Sequence, residues 1–283
     1  MDKKELKFAF FGTPEVASKT LDFLFGSGYT PKVIITSPDR RAGRGMHLLS
    51  TPVSLWADEH KILCLKPEKI DNDFIEKLKD LGIELSIVVA YGKILPEELI
   101  KSPELGTINI HYSLLPKYRG ASPLEQALLN GDLITGITIQ QMEFKLDSGA
   151  IIAQEEININ IDDTKEELRE KLINLGAEKL VEVIPDIQNG ITKPKYQDEN
   201  LASHCSKIKK EDGEIDPSGN AITNYNKYRA FFGWPGVFFF KNNKRVKIIK
   251  ARYENNSFII ERVVPEGKKE TSYKEFLNSN TSM

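Results

Sequence analysis

The chain has 283 residues, 40% hydrophobic and 28% charged, enough for about two average domains and a sizeable core; a mean hydropathy of −0.35 and no long apolar run exclude a membrane-spanning helix. Two cysteines, Cys64 and Cys205, make neither a disulfide framework nor a CxxC metal site, so a reducing, cytoplasmic compartment is expected. The net charge of −2 hides an asymmetry: from Ser206 onward 15 Lys and Arg face 9 Asp and Glu, and the preceding residues carry 24 against 32, which suits a polyanionic partner although a solvated face looks the same.

The start, MDKKELKFAFFG, is too short for a secretory core and reads as a first strand over 7–11 ending in Gly12. Thr13 is then a plausible N-cap with Pro14 at the first helical position, and Gly26 stops the helix. A second strand follows over 33–35, then a mobile loop of Pro, Arg and Gly, a helix over 52–60 and an apolar piece over 62–64. Residues 71–81 read as helical and 85–90 as a buried strand. This βαβα rhythm predicts an α/β fold with a doubly wound, mainly parallel sheet. Further strands are expected over 107–111 and 136–142. Thr164 and Glu167 form a capping-box pattern that opens a long helix ending before Gly190. Residues 191–205 read as a linker between a domain over 1–190 and a basic domain over 206–283. That domain begins with a helix over 220–231 and continues with strands over 237–240, 245–252, 257–260 and 263–264, separated by Gly, Pro and Asn turns, as in a small β-domain.

Asn109 and His111 stand two apart on a strand and so project to one face, at the carboxyl end where open α/β sheets bind ligands. Hydrogen bonding to neighbouring loops would account for them equally well. An Asn amide can donate to a developing oxyanion, and a His can move a proton near neutrality. The imidazole needs a carboxylate beside it; Asp147, just before the turn at Gly149, is one candidate among many acids. The first βα turn, Gly12-Thr13-Pro14-Glu15, lacks the other glycines of a dinucleotide fingerprint. Arg40, Arg41 and Arg44 share one Gly-containing loop, and a guanidinium fork suits phosphate. Lys241 to Arg252 carries six positive charges and no acid beside Phe231-Phe232-Gly233-Trp234, a pattern that grips nucleic acid or simply fills a core. The histidines and cysteines have no recurring ligand spacing, so no metal site is expected, and no GxSxG elbow is present.

The segment Asn109-Ile110-His111 followed by Ser113-Leu114-Leu115-Pro116-Lys117-Tyr118-Arg119-Gly120, with Leu146-Asp147-Ser148-Gly149 beyond it, closely resembles the 10-formyltetrahydrofolate-dependent formyltransferases. The resemblance extends from Phe10-Phe11-Gly12-Thr13-Pro14 through Pro38-Asp39-Arg40, Val88-Val89-Ala90-Tyr91-Gly92, Ile94-Leu95-Pro96 and Gly136-Ile137-Thr138-Ile139 to Pro265-Glu266-Gly267-Lys268-Lys269. The Arg loop and the basic C-terminal part narrow it to the branch acting on charged initiator tRNA.

The resemblance implies direct attack by the methionyl α-amino group on the formyl carbon, through a tetrahedral intermediate, in translation initiation. It implies Asn109, His111 and Asp147 as the catalytic trio. Tyr91, Gly92, Ser113, Leu114, Leu115 and Pro116 would line the folate site. The tRNA would be held by Arg40, Arg41, Arg44, Lys244, Arg245 and Lys247, with the C-terminal domain an oligonucleotide-binding (OB-like) barrel. The donor, 10-formyltetrahydrofolate, is a cosubstrate; no resident cofactor, metal or membrane is implied, and the chain is expected to act as a monomer. Departures are Tyr112, where a small residue is usual and crowding of the folate turn is expected, Ala150 in place of an acid, and Met46 and His47 in place of lysines. The C-terminal part also lacks the length for a strand pair near 253–257. A formyltransferase for a small amine, such as a glycinamide ribonucleotide or an amino sugar, would not need the basic domain. A non-catalytic RNA- or folate-binding protein would not need the trio.

Overall fold

A computed structural model of the chain describes residues 6–42 and 46–279. Two compact units result: 1–119 with 136–156 and 171–203, and 120–135 with 157–170 and 204–283. Residues 191–203 therefore belong to the first unit. Lys195 pairs there with Ile151 through two backbone hydrogen bonds of 2.8 Å.

The chain opens β1 (Phe8–Gly12), α1 (Glu15–Gly26), β2 (Val33–Ile35), β3 (Arg40–Ala42), β4 (His47–Leu49), α2 (Pro52–Glu59), β5 (Cys64–Leu65) and α3 (Asn72–Asp80). It continues β6 (Leu85–Val89), α4 (Glu97–Lys101), β7 (Thr107–His111), β8 (Arg119–Gly120), α5 (Pro123–Asn130), β9 (Ile134–Gln141), β10 (Ile151–Asn158) and α6 (Lys165–Gln188). Seven strands form the main sheet in the order β10-β9-β7-β6-β1-β2-β5. β5, β2, β1, β6 and β7 run parallel, and β9 joins β7 antiparallel. β1, β2 and β6 are buried along their whole length, as their near-continuous apolar runs require when both faces are covered. The chain proceeds outward from β1 to β2 and β5, then resumes on the other side at β6. The reversal lies between β1 and β6, where such sheets open a crevice at their carboxyl ends.

At that end the βα turn is tight. A Cβ on Gly12 would stand 2.5 Å from the Ala17 Cβ and 2.8 Å from the Phe10 ring, so only glycine lets α1 leave β1 this closely. The helix starts one residue later than the sequence suggests: Pro14 is its N-cap and Glu15 its first residue. Thr13 is not the cap, because its hydroxyl donates instead to the Tyr91 carbonyl at 3.0 Å. Elsewhere the local signals match the elements. Thr51 caps α2 through the Ser54 N–H, and Asp71 caps α3 through the Phe74 N–H. Thr164 and Glu167 bond reciprocally ahead of α6. Where a mobile Arg loop is expected, Arg40–Ala42 and His47–Leu49 pair as an antiparallel ribbon.

After α6 come β11 (His204–Cys205), α7 (Ala221–Ala230), β12 (Val237–Lys241), β13 (Lys244–Glu254), β14 (Ser257–Pro265), β15 (Thr271–Ser272) and α8 (Tyr273–Ser279). The last four strands form one antiparallel sheet in sequence order. A small antiparallel β-domain thus follows the α/β sheet, as expected, and Phe238 of β12 is also bridged in parallel to Glu214. Asn242-Asn243 and Asn255-Asn256 all take positive φ, the left-handed pairs that make two-residue hairpins, so β12, β13 and β14 follow one another directly. Phe239 packs edge-on against Tyr273 and Phe276 of α8 at 6.2 and 6.3 Å, giving this sheet its own core. No helix among the described residues is long and apolar enough to cross a membrane.

Candidate active site

β7 carries Asn109 and His111 opposite Gln140 and Thr138 of β9. Directly opposed residues of an antiparallel pair share a face, so these four side chains project together at the carboxyl end of β7. His111 is 6% exposed. Its Nε2 donates to the Tyr118 carbonyl at 2.9 Å; a carbonyl only accepts, which assigns the hydrogen to Nε2. Nδ1 faces Asp147 Oδ2 at 3.7 Å, close enough for an ion pair and too long for a hydrogen bond. Asn109 is half-buried, and among the described residues no hydrogen bond engages its side-chain amide. The three residues singled out by sequence therefore lie around one spot, with one amide free to donate.

What holds Asp147 there was not legible as a motif. Its Oδ1 accepts from Gln140 Nε2 at 3.0 Å. Gln140 is 1% exposed, and its Oε1 has no hydrogen-bond partner among the described residues. Asp147 itself is left-handed, at φ 49°, a conformation that Asp tolerates better than most residues. Its carbonyl and that of Gly149 both accept from Gln197 Nε2, at 2.8 and 2.7 Å. A Cβ on Gly149 would lie 1.7 Å from the Gln141 carbonyl oxygen; the loop can close on β9 only because that residue is glycine. Gln140 is a buried polar side chain near the end of β9 and was visible in principle. Gln197 stands in a polar stretch that gives no local signal.

The turn after His111 is built by two side chains from the neighbouring strands. Thr138 Oγ1 donates to the Ser113 carbonyl at 2.6 Å and accepts from the Leu115 N–H at 3.0 Å. Gln154 Nε2 donates to the Leu115 carbonyl at 2.8 Å. Ser113 is fully buried and its hydroxyl donates to the Lys117 carbonyl, so Ser113 and Leu115 shape the turn while Leu114 and Pro116 are half-buried on it. Tyr91 is 2% exposed and edge-on to Phe11 at 5.5 Å. Burial pushes its phenol up to about 12, and what it offers the rim is its carbonyl, fixed by Thr13. Gly92 follows in the left-handed region, at φ 78°. The crowding expected from Tyr112 does not occur. Its ring lies toward Gly176 of α6, whose Cβ would come 3.6 Å from it, and its buried phenol is raised well above the usual range by desolvation.

Arg40 and Arg41 lie exposed on the β3–β4 ribbon, and Arg44 falls outside the described residues. In the second unit the cations divide into two groups. Lys250, Arg252 and Arg262 pair with Glu261, Glu254 and Glu270. Lys244, Arg245 and Lys247 have no acidic side chain within ion-pair distance among the described residues. Arg245 lies over the Phe238 ring at 4.4 Å, and Lys247 stands opposite Phe238 in register. Among the described residues no group of three or more His, Cys, Asp or Glu could hold a metal ion.

Comparison with known proteins places this arrangement. Residues 6–184 match the formyl transferase family, and 207–259 match the formyl transferase C-terminal domain. A methionyl-tRNA formyltransferase of Thermodesulfovibrio yellowstonii is 40% identical over 291 positions, covering 95% of this chain and 94% of that one. Two solved structures share the fold. One is an N-formyltransferase from Helicobacter canadensis in complex with folinic acid and dTDP-3-aminofucose (TM-score 0.66, 22% identity, 88% of this chain and 89% of that one). The other is a methionyl-tRNA formyltransferase from Clostridium thermocellum (TM-score 0.61, 18% identity, 92% and 98%). Fold and matched domains thus define a formyl-transfer enzyme with a separate C-terminal domain. The chain belongs to the methionyl-tRNA formyltransferase family.

Proposed function

We propose that the chain moves the formyl group of 10-formyltetrahydrofolate to the α-amino group of methionine on initiator tRNA, in the cytoplasm, for translation initiation. The observation that carries the residue assignment is the unengaged Asn109 amide beside the His111–Asp147 pair at the carboxyl end of β7. An α-amino group has a pKa of about 7.7–8.0, so a neutral nucleophile is available near pH 7 without a strong base. As its nitrogen bonds to the formyl carbon, negative charge grows on the formyl oxygen. Asn109 donates to that oxygen; one such donor typically contributes roughly 2.7–4 kcal/mol to lowering the barrier.

The carbon–N10 bond then breaks, and the proton leaving the amine must reach N10. Tyr118 occupies Nε2 of His111, so Nδ1 is the ring nitrogen that exchanges this proton, and Asp147 facing it stabilises the imidazolium form that results. Folate would lie along the 113–116 turn and the Tyr91-Gly92 backbone, where the half-buried Leu114 and Pro116 offer apolar surface. Lys244, Arg245 and Lys247, with Arg40, Arg41 and Arg44, would meet tRNA phosphates. The test is transfer of label from 10-formyltetrahydrofolate to charged initiator tRNA, with an elongator methionyl-tRNA as control. Initiator-selective transfer by the natural chain and its loss in both Asn109→Ala and His111→Ala are expected. Wild-type turnover in both variants would sink the assignment of these residues; transfer to a small amine but not to tRNA would sink the substrate.

A further inference from the structure

Arg119 is completely buried, and a charge so placed must be fully engaged to be tolerated. Its guanidinium donates to two side chains from the segment after α6. Nε and one terminal nitrogen donate to Gln197 Oε1 at 3.0 and 2.8 Å, and the two terminal nitrogens reach the Glu199 carboxylate at 3.2 and 2.8 Å. Both partners pass the constraint on to the loop that bears Asp147. Gln197, its oxygen taken by Arg119, has only its amide hydrogens left to give, and it gives them to the carbonyls of Asp147 and Gly149. Glu199 accepts from Lys145 at 2.9 Å. The loop is therefore tied to one guanidinium near both of its ends. The adjoining residue, Tyr118, offers the carbonyl that fixes His111, and its own N–H is held by Ser203 Oγ at 2.9 Å. Residues 118 and 119 thus reach both members of the His–Asp pair, one directly and the other through Gln197.

We propose that Arg119 is a positioning residue that acts through Gln197 to set the separation between Asp147 and His111 Nδ1. Arg119, completely buried, presents no surface to a substrate. The direction of the Gln197 amide matters: its oxygen must face the cation and its nitrogen the two carbonyls, an arrangement that no carboxylate can reproduce. This proposal rests on the reading of Asp147 and His111 given above.

Removing Arg119 would leave a hole in the fold, so the test uses the half-buried Gln197. Gln197→Leu keeps the bulk and loses every hydrogen bond. Gln197→Glu keeps an oxygen acceptor for Arg119 and sets a second oxygen against the two carbonyls. Both should lower kcat about 10- to 100-fold, the scale on which a misplacement of an ångström is felt, while KM for folate and tRNA moves little; the thermal midpoint falls in both, since each leaves buried polar groups unpaired. In an Asp147→Asn background, Gln197→Leu should cost little further, because the group it places has lost its function. Wild-type kcat in Gln197→Glu, or a full additional loss in the double variant when Asp147→Asn alone is impaired, would overturn the proposal. An unimpaired Asp147→Asn would instead overturn the reading of the site and take the proposal with it.

Discussion

The surroundings of Asp147 and the strand β13 handle polar groups in opposite ways. Around Asp147 the carboxylate, its carbonyl, the Gly149 carbonyl and the guanidinium of Arg119 are all engaged at hydrogen-bond distance by named partners. Along β13, the side chains of Lys244, Arg245 and Lys247 have no acidic side chain within ion-pair distance among the described residues, although those of Lys250 and Arg252 do. The difference corresponds to what each region would meet. A reacting carbonyl carbon tolerates little displacement, so its donors must be fixed beforehand. A polyanion is attracted over a Debye length, about 8 Å at physiological salt, and cations free to follow it serve better than cations already paired.

The contrast is broken most severely at Gly149. Gly149→Ala places a Cβ where the Gln141 carbonyl oxygen stands, so the loop must lift from β9 and carry Asp147 away from His111. A fall in kcat of about 100-fold is expected, with tRNA affinity unchanged in filter binding; a variant with native kcat would show that the loop need not be closed. The opposite edit removes the three unpaired cations together. Lys244→Ala, Arg245→Ala and Lys247→Ala combined should leave kcat at saturating tRNA intact. KM for tRNA should rise, and the log–log salt slope of tRNA binding should flatten by about 0.7–0.9 for each phosphate no longer neutralised. An unchanged slope would remove these residues from the interface.

How far the sequence alone reaches is shown by the same two regions. Asn109 and His111 were legible because polar residues at a spacing of two interrupt an apolar strand, and the parallel core was legible because β1, β2 and β6 are near-continuous apolar runs. β10 was missed because Gln154, Glu155 and Glu156 make a half-exposed edge strand look like a loop. The strands of the last sheet were legible from their apolar and aromatic runs between Asn turns, and the pairs Asn242-Asn243 and Asn255-Asn256 do make its hairpins. Arg119, Gln197 and Glu199 were invisible as a group, because a hydrogen-bond relay joining residues some 80 positions apart has no periodicity. Gln140 is intermediate: conspicuous on its strand, yet interpretable only once Asp147 is beside it. Gln140→Leu removes one hydrogen bond to a carboxylate, commonly about 1.5–3 kcal/mol. Felt in full, that is roughly 10- to 100-fold in rate; a drop in kcat near the lower end, about tenfold, is expected, less than at Gly149 because Gln197 still holds the loop backbone. A loss equal to that of Gly149→Ala would mean that the carboxylate hydrogen bond, not the loop, sets the geometry.

The smallest expected effect tests whether the engaged region owes its order to charge or to geometry. Hydrogen bonds from Arg119, then from Lys145, hold the Glu199 carboxyl down to about 2 from its ordinary 4.5. A carboxyl depressed in the folded state stabilises it fully above the unfolded value and loses that contribution as pH falls toward the folded value. Glu199 is largely open to water, so solvent screens the pair and the shift in stability is small. The thermal midpoint of Glu199→Gln should therefore lie slightly below that of the natural chain at pH 6–8, with a constant gap there. The gap should narrow as the pH is lowered from about 4.5, because protonation gives the natural chain the same neutral side chain. Throughout the neutral range kcat should fall far less than in Gln197→Leu, since the Gln197 amide still fixes the carbonyls of Asp147 and Gly149. A gap that instead widened on acidification would mean that Glu199 is not the acceptor of these cations in solution, and the charged arm of the clamp would have to be sought elsewhere.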